Sequence, residues 1–262
     1  MQDAIGQEHQ PAFGNIRIVS LVPSLTELLF DLGLAENLVG RTSFCIHPKQ
    51  TQSIPRIGGT KHIKLHKIAA LRPTHILVNI DENRKEDFAA IREFCPNIIV
   101  THPEHPLDNL ILFSLIGFIF GRLQKAQELS RRFQEKYDRI ISSQHFLKKQ
   151  HVLYLIWKDP WMCISKQTYI AQNLSLIRWE TPSTNGDSRY PELKPIDFHS
   201  VKYDLVIFSS EPYPFKTKHR DQFCEKFQYP ADKTRWIDGE MVSWYGSRSI
   251  LGLQYLSNLA IA

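Results

Sequence analysis

Few side chains in this sequence have the type and spacing that chemistry requires. His62 and His66 stand four residues apart and could share a metal ion, but the lysines interleaved with them favour a solvated stretch. His102 and His105 flank a glutamate within a proline-rich break, which is typical of a loop. Ser24 follows a predicted strand, where a nucleophile could lie, but a helix-capping role explains it without chemistry. We therefore predict no catalytic residue and no metal site built by the protein.

Common catalytic and cofactor signatures are also missing from the sequence. It contains no G-x-x-x-x-G-K-[ST], no G-x-G-x-x-G, no G-x-S-x-G and no H-E-x-x-H pattern. Its four cysteines form no C-x-x-C pair, so a structural zinc site is not expected. Because a chain of this length does not need disulfides to stabilise it, we predict free, buried thiols.

Aromatic residues and prolines cluster just after the predicted strands. In open α/β sheets, ligands bind outside the carboxyl ends of the strands, so these clusters indicate an apolar wall for a flat, bulky ligand. Filling of the core explains any single aromatic equally well, and only the five clusters together favour a binding surface. The clusters are Phe44-Cys45, Trp157 to Met162, Arg189-Tyr190-Pro191, Glu211 to Phe215 and Trp244-Tyr245.

Alternating strands and helices must position these side chains. A β-branched run at 16–22 precedes Ser24-Leu-Thr-Glu27, which has the form of a helix capping box. Further strands are predicted at 75–80, 98–101, 151–157, 204–209 and 235–237, and helices at 85–94, 168–177 and 247–260. Such alternation predicts an α/β fold with mainly parallel sheets.

The pattern divides the chain into four regions. We expect a disordered tail over 1–15, an N-terminal α/β lobe over 16–106 and a C-terminal α/β lobe over 151–262. The region 107–150 lacks proline and is rich in helix formers, which predicts one long, rigid spine helix linking the lobes, with two abutting helices as the alternative.

Composition bounds the class of protein. The chain has 262 residues, 42% hydrophobic and 23% charged, with a net charge of +5, which is ordinary for a globular protein and mild for a nucleic-acid binder. Eight Lys and Arg residues fall within 122–149, where a solvated helix face is the common explanation. The most apolar run, at 110–120, is too short to span a membrane. Without a signal-like segment we expect a cytoplasmic protein, or a periplasmic one if the natural N-terminus lies upstream.

Several segments resemble one family in sequence and in order. The chain is similar to the substrate-binding proteins of ABC importers for cobalamin and iron chelates, the helical-backbone metal receptor superfamily, and most of all to its cobalamin-binding branch. The matching segments are RIVSLVPSLTELLFDLGL (17–34), VGRTSFCIHP (39–48), IPRIGG (54–59), KIAALRPTHILV (67–78), YLIWKDPWM (154–162), RYPEL (189–193), DLVIFSSEPYPFKTKH (204–219) and DGEMVSWYGSR (238–248).

The resemblance implies a fold and a binding site. It implies two α/β lobes joined by a long rigid helix, a class III periplasmic-binding-protein architecture, with ligand held in the cleft between the lobes. Positions matching the family's ligand-lining aromatics are Phe44, Met162 and Tyr190. With their neighbours and polar candidates, the expected ligand-binding residues are Phe44, Cys45, Trp161, Met162, Tyr190, Glu211, Trp244 and Arg248.

Two departures concern the partner. The family docks on its permease through one surface glutamate per lobe, and the matching positions here hold His66 and Ile196, which leaves docking on an ABC permease open. We predict a monomeric, non-enzymatic protein that binds a cobalamin-like corrinoid or a related metal chelate, with no intrinsic cofactor and no nucleic-acid partner. A protein ligand to the cargo metal from Cys45 or His47 is a further hypothesis. The alternatives are a siderophore- or haem-binding protein, and a hydrolase or metal-dependent enzyme on the same scaffold.

Overall fold

A computed structural model describes residues 1–181 and 188–261 of the protein, apart from the side chain of Asp197. The chain divides into two compact units. Unit 1 comprises Met1–Pro103, Leu107–Arg132 and Tyr245–Arg248, and unit 2 comprises Glu104–Pro106, Phe133–Trp244 and Ser249–Ala262. The polypeptide therefore passes between the units more than once.

Unit 1 is built on a four-stranded parallel sheet. Its strands are β1 (Ile18–Ser20), β2 (Leu38–Arg41), β3 (His75–Asn79) and β4 (Ile98–Thr101), in the order β2-β1-β3-β4. Every residue of β3 and β4 is buried, as expected for parallel strands covered on both faces. The α/β class with mainly parallel sheets is thereby confirmed for this unit.

Three short helices connect these strands: α1 (Pro23–Asp31), α2 (Leu65–Ala70) and α3 (Glu86–Arg92). The predicted capping box at Ser24 is wrong. Proline fits the first turn of a helix, and Pro23 starts α1 one residue earlier, with Val22 as the N-cap residue. Ser24 therefore lies inside the first turn, and Glu27 is free to bind elsewhere.

The region 107–150 is not a single helix. It forms α4 (Asp108–Ile119) and α5 (Leu123–Ser143), so the alternative of two abutting helices is the one observed. Gly121 adopts φ 65°, a left-handed conformation that ends α4 and that glycine adopts without steric cost. At its other end, α5 gives way to a 3₁₀ turn, Gln144–Phe146, before the next strand begins.

The predicted disordered tail is ordered. The buried carboxylate of Asp3 accepts hydrogen bonds from the backbone amides of Ile5, Gln7 and Val100, at 3.1, 3.0 and 3.0 Å. The Nε2 atom of His9 lies 3.0 Å from the same carboxylate. Since Val100 belongs to β4, an edge strand, the first residues cover an edge that would otherwise expose unpaired backbone groups.

Unit 2 has a five-stranded, mainly parallel sheet. Its strands are β5 (Gln150–Trp157), β6 (Met162–Cys163), β7 (Trp179–Glu180), β8 (Leu205–Ser209) and β9 (Thr234–Ile237). The order is β6-β5-β8-β9, with β7 pairing to the start of β5, and only β6 runs antiparallel. This unit, too, confirms the predicted fold class.

In the described part of unit 2, the helices after α5 are α6 (Tyr169–Ser175), α7 (Pro195–His199), α8 (Thr217–Phe227), α9 (Gly239–Ser243) and α10 (Arg248–Ile261). On one face, Leu153 and Leu155 of β5 and Phe208 of β8 pack against Phe223 and Phe227 of α8 in an aromatic-rich core. No helix among the described residues is long and apolar enough to cross a membrane.

Candidate functional site

Each unit presents a carboxyl edge, which we define as the residues that follow its parallel strands. In unit 1 these are 21–24, 42–47, 80–83 and 102–103, and in unit 2 they are 158–161, 210–213 and 238–240. Open parallel sheets bind ligands at this edge, because the loops there converge and the strand order reverses. The two edges are described separately.

Side-chain amides hold the carboxyl edge of unit 1 in place. The Oδ1 atom of Asn79 accepts the backbone amide of Asp81 at 2.8 Å, and Oδ1 of Asn83 accepts the backbone amide of Asn79 at 2.9 Å. The Nδ2 atom of Asn83 then donates to the carbonyls of Leu21 and Thr60, at 3.2 and 3.1 Å. Both asparagines are buried, so these bonds fix the loop after β3 to its neighbours.

Two residues from the segment Tyr245–Arg248 are bound into unit 1 by acidic partners. The Tyr245 hydroxyl donates to Oε1 of Glu82 at 2.8 Å, and burial together with this carboxylate raises the pKa of Tyr245 well above its ordinary value. Arg248 donates through Nε and Nη2 to the two carboxylate oxygens of Glu27, at 2.7 and 2.8 Å. Arg248 is buried, so it is an internal ion-pair partner and not the ligand contact that the sequence predicted.

The loop after β2 separates an exposed aromatic from a buried thiol. Phe44 is 60% exposed, and its ring lies beside Gly59. Cys45 is fully buried, and the hydroxyl oxygens of Thr26 and Thr42 each lie 3.1 Å from its sulfur. Burial raises the pKa of the Cys45 thiol, which keeps it protonated. This burial corrects the expectation that Cys45 contacts ligand or cargo metal, whereas Phe44 and the half-buried His47 remain predictions.

The carboxyl edge of unit 2 presents exposed aromatic rings. Trp157, the last residue of β5, is 42% exposed and meets the ring of Tyr213 edge-on at 5.3 Å between centroids. Tyr213 in turn contacts Phe215 at 4.8 Å and His219 at 5.3 Å. These contacts hold a partly exposed aromatic surface at the end of the sheet.

Trp161, named as a ligand contact by the sequence, belongs to the core. Only 5% of it is exposed, its ring stacks on Phe215 at 5.9 Å, and it meets Phe223 edge-on at 5.2 Å. The turn between β5 and β6 directs this second tryptophan inward, since the α8 aromatics leave a site for a large ring there. Of the two tryptophans in this segment, Trp161 is therefore buried and Trp157 is the one that is partly exposed.

Met162 and Tyr190, the positions of unit 2 implied by the family resemblance, are both half-buried. Met162 pairs with Trp157 across the antiparallel β5–β6 ladder and bridges to Glu192. Tyr190 lies next to Arg189, whose guanidinium carbon is 6.0 Å from the tyrosine ring centroid. Both side chains remain predicted ligand contacts.

Glu211 organises a recess beside this aromatic surface. Its Oε1 accepts hydrogen bonds from the Ser243 hydroxyl at 2.8 Å and from Nε1 of Trp244 at 2.7 Å. Trp244 is buried, so it positions Glu211 and does not itself present a ring to a ligand, which corrects its predicted role. Burial raises the pKa of Glu211, with Glu240 and Asp238 nearby adding to the shift.

The recess has a volume of about 690 Å³ and combines aromatic walls with three carboxylates. No lysine or arginine is among its lining residues, as far as the described chain shows. The lining residues are Ser210, Glu211, Phe215, Trp236, Ile237, Asp238 and Glu240. Such a surface suits a ligand whose edge donates hydrogen bonds or carries positive charge.

Two further expectations from sequence concern metal ligands and thiols. Within residues 1–181 and 188–261, no three His, Cys, Asp or Glu side chains come together in a group that could hold a metal ion. The four cysteines are free, with Cys224 partly exposed and the other three buried. The ligand-binding residues expected from sequence do not include Trp157, Tyr213 or Trp236, although Trp157 and Tyr213 lie within the aromatic clusters. Sequence could have singled out Trp157, because it is the final residue of a predicted strand.

Comparisons with known proteins identify the family of the chain. The sequence profile of the periplasmic binding protein family matches residues 18–228. The uncharacterized ABC transporter substrate-binding lipoprotein YvrC of Bacillus subtilis is 33% identical over 249 residues, which covers 92% of this chain and 78% of that protein. The vitamin B12-binding protein of Photorhabdus laumondii is 28% identical over 253 residues, covering 92% of this chain and 86% of its own.

Solved structures share the fold at low sequence identity. The periplasmic vitamin B12-binding protein BtuF of Vibrio cholerae superposes with a TM-score of 0.81 at 15% identity, over 94% of this chain and 96% of that one. IsdE of S. aureus, complexed with haem, gives 0.82 at 17% identity, over 95% and 100%. The predicted class III architecture is confirmed by these neighbours. With its two mainly parallel sheets and the profile match over most of its length, the chain belongs to the periplasmic binding protein family.

Proposed function

We propose that this chain is the substrate-binding protein of an ABC-type uptake system and that its ligand is a cobalamin-like corrinoid. Each carboxyl edge offers an aromatic face to such a ligand, through Phe44 in unit 1 and through Trp157 and Tyr213 in unit 2. Cobalt enters as part of the ligand, so the binding protein needs no cofactor of its own. It also needs no nucleophile or general base, which fits a protein that is not an enzyme.

The lining of the recess around Glu211 is the main reason for proposing a corrinoid as the ligand. Carboxylates accept hydrogen bonds and repel anions, and three of them line this recess without a lysine or arginine among the described lining residues. The rim of a corrin ring carries carboxamide side chains, whose N–H groups donate hydrogen bonds. The rim of haem carries two propionates, which would be repelled at this surface.

The relatives support the same choice. The relative from Photorhabdus laumondii is named a vitamin B12-binding protein, and similarly named proteins from Vibrio species are 20–27% identical over about three quarters of this chain. Structural neighbours include haem-binding proteins, which share the fold at under 25% identity. A haem or siderophore ligand is therefore the alternative outcome of the test below.

The test is retention of a coloured ligand by the purified full chain. The protein is mixed separately with cyanocobalamin, hemin and a ferric siderophore, passed through a desalting column, and its visible spectrum is recorded. We expect stoichiometric retention of cyanocobalamin only. Retention of hemin with a shifted Soret band, and loss of cyanocobalamin, would replace the corrinoid by haem as the ligand.

The charge argument has its own matched comparison. Replacing Asp238 and Glu240 together by Asn and Gln removes two charges from the recess and keeps hydrogen-bond acceptors there. We expect cyanocobalamin affinity to change less than about threefold, while any weak affinity for hemin rises, because each removed charge lowers the repulsion of a propionate. A loss of hemin affinity in this variant would contradict the electrostatic explanation.

Docking and oligomeric state follow as part of the same proposal. The positions that match the family's docking glutamates hold His66 and the exposed Ile196, so we propose that any permease contact uses other side chains. Chemical cross-linking of the protein in solution tests the proposed monomer.

A further inference from the structure

Trp157 occupies an unusual position in unit 2. It ends β5, whose preceding residues Val152 to Ile156 are all buried, and yet 42% of the tryptophan is exposed. The indole therefore lies at the point where the core stops and the carboxyl edge begins. A large aromatic ring left partly in water beside a filled aromatic core is a feature of binding surfaces, where such rings contribute most of the affinity.

The side chain is braced by its neighbours on two sides. On one side it pairs with Met162 across the β5–β6 ladder, and directly paired residues have Cβ atoms about 4.5–5.5 Å apart. On the other side it meets the edge of Tyr213 at 5.3 Å. Tyr213 cannot easily move, since Phe215 and His219 contact it at 4.8 and 5.3 Å.

The competing candidate in the same loop is excluded by burial. Trp161 lies four residues further along and is enclosed by Phe215, Phe223 and Phe227. Contact with a ligand would require removing it from this cluster, which would leave a cavity in the core. Trp157 needs no such rearrangement, because part of its ring already faces solvent.

We propose that Trp157 is the residue of unit 2 that stacks on the conjugated ring of the ligand, and that Tyr213 is a positioning residue that fixes the angle of the indole. This inference rests on the proposed function, namely that the ligand is a planar metal chelate. It adds a contact at a position that the resemblance did not assign, and it removes the assigned role from Trp161. Stacking uses the part of the ring face that lies beside the axial ligands, so it does not depend on an open coordination position of the metal.

Cyanocobalamin is therefore the probe, because its cobalt is already fully coordinated and can gain no protein ligand while the cyanide stays bound. Affinity is measured by equilibrium dialysis for the wild-type chain, Trp157→Ala and Trp157→Phe. We expect a loss of about tenfold or more for alanine, and a loss within roughly threefold for phenylalanine, which keeps an aromatic face. The matched control is Phe146→Ala, which removes an aromatic side chain that is 82% exposed and lies just before the start of β5.

The positioning role of Tyr213 is tested by a double-mutant cycle. If Tyr213 acts only by holding the indole, Tyr213→Ala weakens binding in the wild-type background and has no further effect when Trp157 is already alanine. A purely structural role would instead lower the thermal midpoint of both backgrounds equally and leave additive losses of affinity. Near-ultraviolet circular dichroism of each variant shows whether the aromatic core remains packed.

The outcomes separate this inference from the proposed function. If the wild-type chain binds cyanocobalamin and Trp157→Ala binds it equally well, the stacking assignment is wrong and the corrinoid-binding function stands. If Trp157→Phe binds as poorly as Trp157→Ala, the indole N–H makes the contact and stacking is overturned. If the wild-type chain retains none of the three chelates, the proposed function fails, and this inference fails with it.

Discussion

The two units have similar sheets, but the side chains at their carboxyl edges make different contacts. At the edge of unit 1, polar side chains make hydrogen bonds within the unit. Asn79 and Asn83 hold the loop after β3, and Glu82 accepts a hydrogen bond from Tyr245. At the edge of unit 2, the aromatic surface of Trp157 and Tyr213 is left partly open to solvent. Similar sheets therefore differ at their carboxyl edges. In unit 1 these polar side chains are hydrogen-bonded within the unit, and in unit 2 the aromatic rings are partly exposed to solvent.

This difference shows which side chains near the end of a strand are available to contact a ligand. A polar group at such an edge contributes to binding only if its own hydrogen-bonding capacity is not already used, because breaking a buried bond costs free energy. Arg248 and Trp244 already donate hydrogen bonds to Glu27 and Glu211, each within its own unit. Phe44 and Trp157 have no such requirement, since an exposed ring face gains from any apolar contact.

The largest expected effect contrasts the two tryptophans of one loop. Trp161→Ala removes a buried ring from an aromatic core and should lower the free energy of unfolding by about 3–5 kcal/mol. Trp157→Ala removes a partly exposed ring and should lower it by less than about 1 kcal/mol. Urea denaturation measures both. Equal losses would show that the indole of Trp157 is part of the core, and the comparison of the two edges would lose its main example.

The next effect concerns the ion pair within unit 1. Arg248→Met leaves the carboxylate of Glu27, which is only 15% exposed, without its cation, and we expect a loss of about 3 kcal/mol in the free energy of unfolding. The matched control is Arg84→Ala, which breaks an exposed pair with Glu86 and should leave the free energy of unfolding nearly unchanged. Unchanged stability of Arg248→Met, combined with weaker ligand binding, would restore Arg248 as a ligand contact.

A smaller effect tests the exposed aromatic at the carboxyl edge of unit 1. Phe44→Ala should weaken cyanocobalamin binding by about tenfold, or about 1.4 kcal/mol, because a stacked ring is lost. The free energy of unfolding should change by less than about 0.5 kcal/mol, since Phe44 is mostly exposed. Affinity comes from dialysis and stability from urea denaturation. Unaltered affinity would mean that the edge of unit 1 offers no aromatic contact.

The smallest effect is a pH dependence at Glu211. Its pKa in the folded state is raised by burial, so the folded chain holds a proton at pH values where an unfolded glutamate has lost it. The contribution of Glu211 to the free energy of unfolding therefore falls as the pH rises above 4.5, the ordinary pKa of a glutamate. Glu211→Gln should be more stable than wild type at pH 7 and equal to it below pH 4.5. A variant less stable than wild type at pH 7 would contradict this sign.

Sequence reasoning located the strands well because parallel strands buried on both faces read as short β-branched runs. The predicted strand at 98–101 coincides with β4, and the one at 204–209 differs from β8 by one residue. Helix ends were predicted less well. The capping box at Ser24 failed because Pro23 already starts the helix, and the single spine helix failed at Gly121, whose left-handed backbone is not visible in composition.

The N-terminal segment was mispredicted for a different reason. Its sequence is polar and lacks periodicity, which is typical of a tail, but Asp3 finds three backbone amides, one of them on the edge strand β4. Side chain-to-backbone bonds of this kind join residues that are 97 positions apart. No local pattern predicts such a pairing.

The sequence by itself determined the α/β class, the order of strands and helices and, through the order of its motifs, the family. These properties follow from local periodicity and from residue types at turns, both of which are written along the chain. Only the tertiary structure decided which residue of each aromatic cluster faces the core and which faces solvent. In the loop from Trp157 to Met162, that choice depends on the rings of α8, about 60 residues away in the sequence, which enclose Trp161 and leave Trp157 at the surface.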